Sequence, residues 1–286
     1  MTGRSMAQSG AGDGWQVVLA PWHLDEHMPG FPVPAGQYEL VLGQLAADSQ
    51  LDRVIGLHEV AAGLVARAVR PLLLSGDRVM ALGAMAGLQR RHGDVAVVWL
   101  DAHGDFNTPA TTITGYLGGM PLAMLTGRDR ELISDRLGSR PVADHQVVLV
   151  DARDLDPAER DALAASGVRQ VPADPDAVAG ALRPLGQAPI YLHVDLDIVD
   201  SSQLPGLRVP AGPGPALAQI RDCLTGIAAT ANIVGACLAC TWLPCPRGRS
   251  ASAPGDQPAR VGPGRPAGLA ADQCRSLRQR CRPVNT

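Results

Sequence analysis

The chain has 286 residues, of which 46% are hydrophobic and 19% are charged, enough for one large α/β domain with a sizeable core. Its formal net charge of −3 argues against a nucleic-acid partner. No apolar segment approaches the roughly 20 residues that span a membrane, and the N-terminus lacks the apolar core of a signal peptide.

The first part of the chain predicts a disordered start, a strand and a loop. Residues 1–14 are small and polar, and we expect them to be disordered, so that the folded domain begins at residue 15. Residues 16–20 are typical of a strand. The segment 22–36 is rich in proline and glycine and predicts a loop, in which His23 and His27 are expected to be ordinary loop residues rather than ligands.

Helical spacing of apolar residues follows, interrupted by one short strand. The spacing predicts helices over 38–47, 57–69 and 79–91, with a strand over 72–74. That strand ends in Ser75-Gly76-Asp77-Arg78, so Arg78 stands just before the third helix.

The next strand ends in three side chains of the metal-binding type. Residues 95–100 form an apolar, valine-rich run, typical of a strand buried on both faces. Asp101, His103 and Asp105 follow at alternate positions, and alternate residues of an extended segment point to the same side. Two carboxylates and one imidazole suit a divalent ion such as manganese or zinc. The alternative is a polar strand end with solvated acids.

Strands and helices then alternate along the chain, which indicates a parallel sheet with helices on both faces. The predicted elements are helices 120–126 and 128–137, strand 146–150, helix 157–166, strand 168–171 and helix 175–185.

A second apolar run, over 190–194, again closes in carboxylates at alternate positions, Asp195 and Asp197. Ligands of open parallel sheets bind outside the carboxyl ends of the strands, so the two strand ends are expected to share one cavity. Acids crowded there repel one another unless a cation lies between them. The sequence therefore predicts a metal site formed by Asp101, His103, Asp105, Asp195 and Asp197.

The C-terminal part holds one further unit and then changes composition. Helix 216–230 and strand 233–239 complete the predicted domain, which ends at residue 244. Cys237 and Cys240 have C-x-x-C spacing inside an apolar run, and we interpret them as buried thiols in a reducing cytoplasm rather than a redox pair. Residues 245–286 are crowded with arginine, proline, glycine and serine, and predict a disordered or foreign tail.

Both acidic motifs resemble one known family. D-A-H-G-D-F-N-T-P (101–109) followed by H-V-D-L-D-I-V-D (193–200) is similar to the second and third signatures of the ureohydrolase (arginase–agmatinase) family, roughly D-A-H-x-D and S-x-D-x-D-x-x-D-P. The resemblance extends over about 15–244. It implies a three-layer α/β/α fold with a mostly parallel sheet, a homo-oligomer, and a two-manganese (Mn²⁺) centre. In this family a metal-activated hydroxide hydrolyses a guanidino or amidine C–N bond of a small molecule.

The resemblance also implies roles for individual residues. Asp105 is expected to accept the hydroxide proton and pass it to the leaving amine. Asn107 and Thr114 match positions that hold the amino-acid part of the substrate, and Asp156 matches the carboxylate that meets its α-amino group. Asp156 before Pro157 is equally a good start for a helix, and both roles can hold together.

Three departures from the family pattern weaken this assignment. The first signature, roughly G-G-D-H-S, has a metal-binding histidine where this chain has Arg78, which cannot ligate a metal, so a second ion is doubtful. Arg78 could instead place its guanidinium near Asp101 and Asp105. Gly118 stands where arginases have a proton-shuttling histidine. Cys240 or Thr241 replaces a glutamate that binds the guanidinium.

Two functions therefore remain open. The first is a metal-dependent hydrolase of a guanidino or amidine bond. The second is a catalytically weak or inactive member of the family that keeps a partial metal site and serves as a binding or assembly protein.

Overall fold

A parallel sheet of eight strands forms the centre of the molecule. The computed structural model describes residues 14–28, 30–31, 38–41 and 47–239. The strands, in chain order, are β1 (Gln16–Ala20), β2 (Trp22–His23), β3 (Glu26–His27), β4 (Tyr38–Leu40), β5 (Pro71–Ser75), β6 (Ala96–Asp101), β7 (Val147–Asp151), β8 (Arg169–Val171), β9 (Ile190–Asp195) and β10 (Ile233–Ala239). The sheet order is β4-β1-β5-β10-β9-β6-β7-β8, while β2 and β3 form a separate antiparallel pair.

Six α-helices accompany the strands in the described part of the chain. They are α1 (Gln50–Arg67), α2 (Ala81–His92), α3 (Pro121–Leu125), α4 (Pro157–Ala164), α5 (Pro175–Leu182) and α6 (Leu217–Thr230). Short 3-10 turns at Arg78–Met80 and Leu196–Ile198 follow the ends of β5 and β9.

The helices cover both faces of the sheet, which confirms the predicted three-layer α/β/α fold. One core packs α1, α2 and α3 against Val97, Trp99 and Tyr191 on one face. The other packs α5 and α6 against Val98 and Leu192. Every residue of β6 and β9 is buried, because each strand lies inside the sheet and is covered on both sides.

Three predicted helices are wrong in extent or type. Tyr38–Leu40, expected to begin a helix, forms strand β4, because its backbone pairs with the edge of β1. The helix expected over 57–69 begins seven residues earlier, at Gln50, where Ser49 accepts a hydrogen bond from the Asp52 amide as N-cap. Within 128–137 only a 3-10 turn forms, since Asp129 adopts a left-handed conformation.

Several expectations cannot be compared with the structure. The disordered start (1–13 of the predicted 1–14) and the tail over 245–286 lie outside the described residues, as do Cys240 and Thr241. The domain limit at 244 therefore stays a prediction. Within the described residues, no helix is long and apolar enough to cross a bilayer.

Helices α1 and α2 pack so closely that glycine is needed at their contact. A Cβ atom added at Gly87 of α2 would lie 2.6 Å from the Ala62 carbonyl oxygen and 2.8 Å from Val65 Cβ of α1. A Cβ at Gly83 would lie 2.8 Å from the His58 carbonyl oxygen. Because the turn at Arg78–Met80 leads directly into α2, this close packing also holds α1 near Arg78.

We expect Gly87→Ala to lower the free energy of unfolding by roughly 1–3 kcal/mol, because the new methyl group overpacks the α1–α2 contact. Gly56→Ala is the matched control, since a Cβ there meets nothing within 4 Å and alanine favours the helix. Urea denaturation followed by circular dichroism measures both. Equal stability of Gly87→Ala and the parent chain contradicts this packing.

Candidate metal centre

The five residues predicted as metal ligands lie together at the carboxyl end of the sheet. Strands β6 and β9 are neighbours in parallel register, with Leu100 opposite Val194, so Asp101 and Asp195 end adjacent strands. His103, Asp105 and Asp197 follow in the two segments that leave these strands. The arrangement results from the parallel pairing, which places both acidic motifs at one edge.

Hydrogen bonds from backbone amides hold the acids in place. Asp195 Oδ1 accepts from the Asp197 amide at 3.1 Å, and Asp101 Oδ1 accepts from the His103 amide at 2.7 Å. Asp197 Oδ1 accepts from the Ala102 amide at 3.3 Å and so ties the two segments together. Each carboxylate therefore keeps a second oxygen for a partner at the centre of the cluster.

That partner is the guanidinium of Arg78. Its Nε lies 3.0 Å from Asp195 Oδ2, Nη2 lies 3.0 Å from Asp197 Oδ2, and Nη1 lies 3.1 Å from Asp105 Oδ1. Nη1 is also 3.7 Å from Asp101 Oδ2, which is an ion-pair distance but too long for a hydrogen bond. Arg78 is 6% exposed, so this is a buried network of one cation among four carboxylates.

The turn that carries Arg78 is fixed from two sides. Asp77 caps it by accepting from the Val79 amide at 2.9 Å, and it also accepts from the Leu24 amide. On the other side, the buried His58 ring of α1 lies 2.8 Å from the Val79 carbonyl oxygen through Nε2. Its Nδ1 lies 2.6 Å from the Val54 carbonyl oxygen. Arg78 thus projects from a rigid support into the acids.

His103 closes the cluster on its more exposed side. Its Nδ1 lies 3.0 Å from Asp197 Oδ2 and 3.3 Å from Asp101 Oδ1. The same atom is 3.2 Å from Arg78 Nη1, which cannot donate to a nitrogen that already carries a proton. Burial disfavours the imidazolium, but the hydrogen bonds to Asp101 and Asp197 raise the pKa of His103 to about 11. In the metal-free protein His103 is therefore an imidazolium, and its Nδ1–H faces Asp101 and Asp197.

The pKa values of the four acids are shifted in different directions. Burial raises the pKa values of Asp105, Asp195 and Asp197, and the opposing effect of Arg78 does not cancel it. Burial acts in the same sense on Asp101, but there Arg78 and His103 outweigh it and hold the pKa below its ordinary value. Without a metal, protons and Arg78 together balance the carboxylates.

Two groups of side chains could hold a metal ion. The donor atoms of Asp101, His103 and Asp197 lie within 4.8 Å of one another, and so do those of Asp101, His193 and Asp195. Asp101 Oδ2, Asp105 Oδ2 and His193 Nε2 are buried without a hydrogen-bond partner among the described residues.

Sequence reasoning missed His193. The signal was nevertheless present, because His193 stands two residues before Asp195 on the same face of the strand. His193, Asp195 and Asp197 therefore stand at alternate positions, with His193 farthest inside strand β9.

Of the three residues expected to bind the substrate, two are in contact with each other and the third is exposed on a loop. Asn107 Nδ2 donates to Asp156 Oδ2 at 3.1 Å, so these two residues are in direct contact. Asp156 also begins α4 in a capping box, where Glu159 Oε2 accepts from the Asp156 amide at 3.3 Å. Thr114 is exposed, and its hydroxyl accepts from the Tyr116 amide at 3.2 Å.

Tyr116 occupies the space beside Gly118, the position without a histidine. A Cβ atom at Gly118 would lie 2.2 Å from Tyr116 Cε1 and 2.6 Å from its hydroxyl oxygen. The ring also stacks on His23, with centroids 5.7 Å apart. An aromatic side chain, rather than an imidazole, therefore borders the cluster on this side.

We expect Arg78→Leu to lower the free energy of unfolding of the metal-free protein by about 3–5 kcal/mol, because four buried carboxylates lose their cation. Arg136→Leu is the control, since Arg136 pairs with Asp52 at the surface and should contribute at most about 1 kcal/mol. Urea denaturation in excess chelator measures both variants. A loss no larger for Arg78→Leu than for Arg136→Leu contradicts a stabilising role of the guanidinium.

The stability of the chelated protein should depend on pH. A histidine whose pKa rises from 6.5 to about 11 on folding contributes stability that is complete below pH 6.5 and is lost as the pH rises through about 11. The raised pKa values of the buried acids act in the same direction at lower pH. We therefore expect the free energy of unfolding to fall between pH 6.5 and 11, and less steeply in His103→Gln. Stability that rises over this range in urea titrations contradicts the expectation.

Comparison with known proteins agrees with this arrangement. A sequence model described as "Arginase family" matches residues 35–240. The N(omega)-hydroxy-L-arginine amidinohydrolase of Streptomyces lavendulae is 32% identical over 207 residues, covering 72% of this chain and 72% of that protein. An arginase of Brevibacillus brevis is 34% identical over 174 residues, covering 56% of this chain and 58% of that protein.

Solved structures show the same fold. An arginase structure from Bacillus cereus matches with a TM-score of 0.67 at 23% identity, covering 79% of this chain and 89% of that chain. Its low identity makes it an indication of the fold alone. The family model, however, spans both acidic motifs and all the strands that carry them, and the Streptomyces protein matches over most of its length. The chain belongs to the arginase family.

Proposed function

We propose that this chain hydrolyses a carbon–nitrogen bond of a small guanidino or amidine compound, using one divalent ion, Mn²⁺, bound beside Arg78. The observation that carries the proposal is the cluster of four buried carboxylates, which the family uses for metal and which this chain has kept around a single arginine. A chain with no use for metal could have replaced these acids with apolar residues at little cost in stability.

The residues fit one ion of the family's kind but not two. Asp101, His103 and Asp197 bring two carboxylates and an imidazole within 4.8 Å of one another, and Asp101 Oδ2 still lacks a hydrogen-bond partner. By contrast, the guanidinium of Arg78 lies against Asp105 and Asp195, on the side from which the family's first signature supplies its histidine. A second ion between Asp105 and Asp195, where the family's histidine would bind it, would meet the fixed positive charge of Arg78.

Asp105 and Arg78 have separate tasks in this hydrolysis. The bound ion supplies a Lewis acid that lowers the pKa of water. Asp105 holds Arg78 through Oδ1, and its Oδ2, which has no hydrogen-bond partner among the described residues, is open to a proton. Asp105 can therefore take a proton from the attacking water and return it to the leaving nitrogen as the C–N bond breaks. Arg78 holds the carboxylates of Asp101, Asp195 and Asp197 in position.

The substrate side is supported by the contact between Asn107 and Asp156. Asn107 Nδ2 donates to Asp156 Oδ2 at 3.1 Å, so the two residues lie side by side and together offer polar groups that could bind a substrate. Thr114 is exposed on the neighbouring loop and could complete the contact. The relatives' names point to L-arginine and N(omega)-hydroxy-L-arginine as the first compounds to assay.

A second candidate function is a binding or assembly protein without turnover. The observation that favours it is again Arg78, which already supplies a cation to all four acids and could make metal dispensable. For either function, the family resemblance supports a homo-oligomer as the working form, and the buried thiol of Cys223 suits a reducing cytoplasm.

Metal content and turnover, measured on the same preparation, decide between the two candidates. We expect the chain incubated with Mn²⁺ and desalted to hold about one ion per chain by elemental analysis. It should release urea from L-arginine or agmatine, or hydroxyurea from N(omega)-hydroxy-L-arginine. Asp105→Asn should lower kcat by at least roughly 100-fold while the metal content is kept, because proton transfer is lost.

Asp161→Asn is the matched control, since Asp161 is exposed on α4 and lies outside the cluster. It should keep both metal and activity. A metal-loaded chain that releases no product from any of these compounds favours the binding protein. Full activity in Asp105→Asn would remove Asp105 from the mechanism.

A further inference from the structure

His193 has no part in the hydrolysis described above, although it lies at the centre of the fold. It belongs to β9, two residues before Asp195, and it is fully buried. Trp99 of β6 stands opposite it in the sheet and stacks on its ring, with centroids 3.6 Å apart and planes 11° apart. The family signature has serine at this position, so the imidazole is a feature of this chain. The stack fixes the ring in one orientation.

The two ring nitrogens of His193 have different surroundings. Nδ1 lies 3.1 Å from the hydroxyl oxygen of Tyr191, and that hydroxyl is also hydrogen-bonded to the Cys237 side chain. Nε2 has no hydrogen-bond partner among the described residues. Donor atoms of His193, Asp101 and Asp195 lie within 4.8 Å of one another. Asp101 Oδ2, likewise buried, is also without a hydrogen-bond partner in the part of the chain described.

A buried nitrogen without a hydrogen-bond partner destabilises the fold, and a cation between the imidazole and the carboxylates would satisfy it. The Tyr191 hydroxyl can donate to the Cys237 sulfur and accept from His193 Nδ1–H, which leaves the lone pair of Nε2 free. Metal-binding histidines commonly donate their second N–H in this way, since the hydrogen bond fixes both tautomer and orientation. Two carboxylates and one imidazole suit Mn²⁺ or Zn²⁺.

The position of Arg78 leaves this inner side of the acids accessible. Its Nε meets Asp195 Oδ2 at 3.0 Å, but Arg78 approaches Asp101 Oδ2 only to 3.7 Å, which is too long for a hydrogen bond. A carboxylate oxygen has more than one lone pair, so Asp195 can keep Arg78 and still meet a cation.

We propose that Asp101, His193 and Asp195 form an inner subsite for a divalent metal ion, with His193 Nε2 as its nitrogen ligand. This subsite lies deeper in the sheet than the group formed by Asp101, His103 and Asp197, because His193 precedes Asp195 on strand β9 by two residues. The two groups share Asp101, but His103 is not a ligand of the inner subsite. This inference rests on the proposed function and deepens it by giving its single ion a deeper position: Asp101 is kept as a ligand, and His193 and Asp195 take the places of His103 and Asp197. His193 thereby supplies a nitrogen ligand that Arg78 cannot supply.

Pulsed electron paramagnetic resonance with Mn²⁺ alone tests the proposal, because nitrogen of a bound imidazole couples to the manganese spin. His193→Phe removes the ligand but keeps an aromatic ring against Trp99, and His193→Ser is a second variant in case the first does not fold. His103→Ala is the matched comparison, because it removes the imidazole from the other group, Asp101, His103 and Asp197. Circular dichroism establishes folding for each.

We expect the imidazole coupling to persist in His103→Ala and to vanish in the double variant His103→Ala/His193→Phe. His193→Phe or His193→Ser alone should weaken Mn²⁺ binding by at least tenfold in titrations of the folded protein. Spectra and affinity unchanged by the His193 substitutions overturn the proposal, as does complete loss of coupling in His103→Ala alone. These outcomes do not depend on turnover: an inactive chain whose coupling depends on His193 contradicts the proposed hydrolysis but supports the inner subsite.

Discussion

Four carboxylates buried at the ends of two adjacent strands require positive charge among them, and the rest of this structure follows from that requirement. Parallel pairing of β6 and β9 makes the crowding unavoidable, since both acidic motifs leave the sheet at the same edge. In this chain the protein itself supplies that positive charge, as the side chain of Arg78. Arg78 makes ion pairs with all four acids, so the metal-free protein carries its own counter-ion.

A tethered cation works only if its support is rigid, and much of the first helical layer provides that support. Asp77 caps the turn before α2, and His58 of α1 reaches the carbonyl next to Arg78. The glycine contacts between α1 and α2 let the two helices approach closely enough for this to happen. Packing far from the acids thus determines where the guanidinium lies. Any divalent ion that binds here would have to share the site with a charge that cannot diffuse away.

The layers, the central strands and the clustering of five acidic and histidine side chains could be predicted because each depends on a short-range pattern: continuous apolar runs and acids at every second position. The strand at Tyr38–Leu40 could not be predicted, because that segment becomes a strand only by pairing with the edge of β1. The reach of Arg78 was foreseen for Asp101 and Asp105, but its contact with Asp197 depends on how the segments after β5 and β9 converge. The setting of His193 depends on its neighbours across the sheet, Trp99 and Cys237.

The contact between Tyr116 and Gly118 makes the side chain allowed at one position depend on the side chain at the other. A side chain at 118 would collide with the tyrosine ring, because even its Cβ would lie 2.2 Å from Cε1. A histidine at 118 would therefore require the Tyr116 ring to leave its place on His23 and turn away from the cluster. The two positions set the shape of this wall together, because a side chain at 118 displaces the ring, and loss of the ring opens the space that such a side chain would fill.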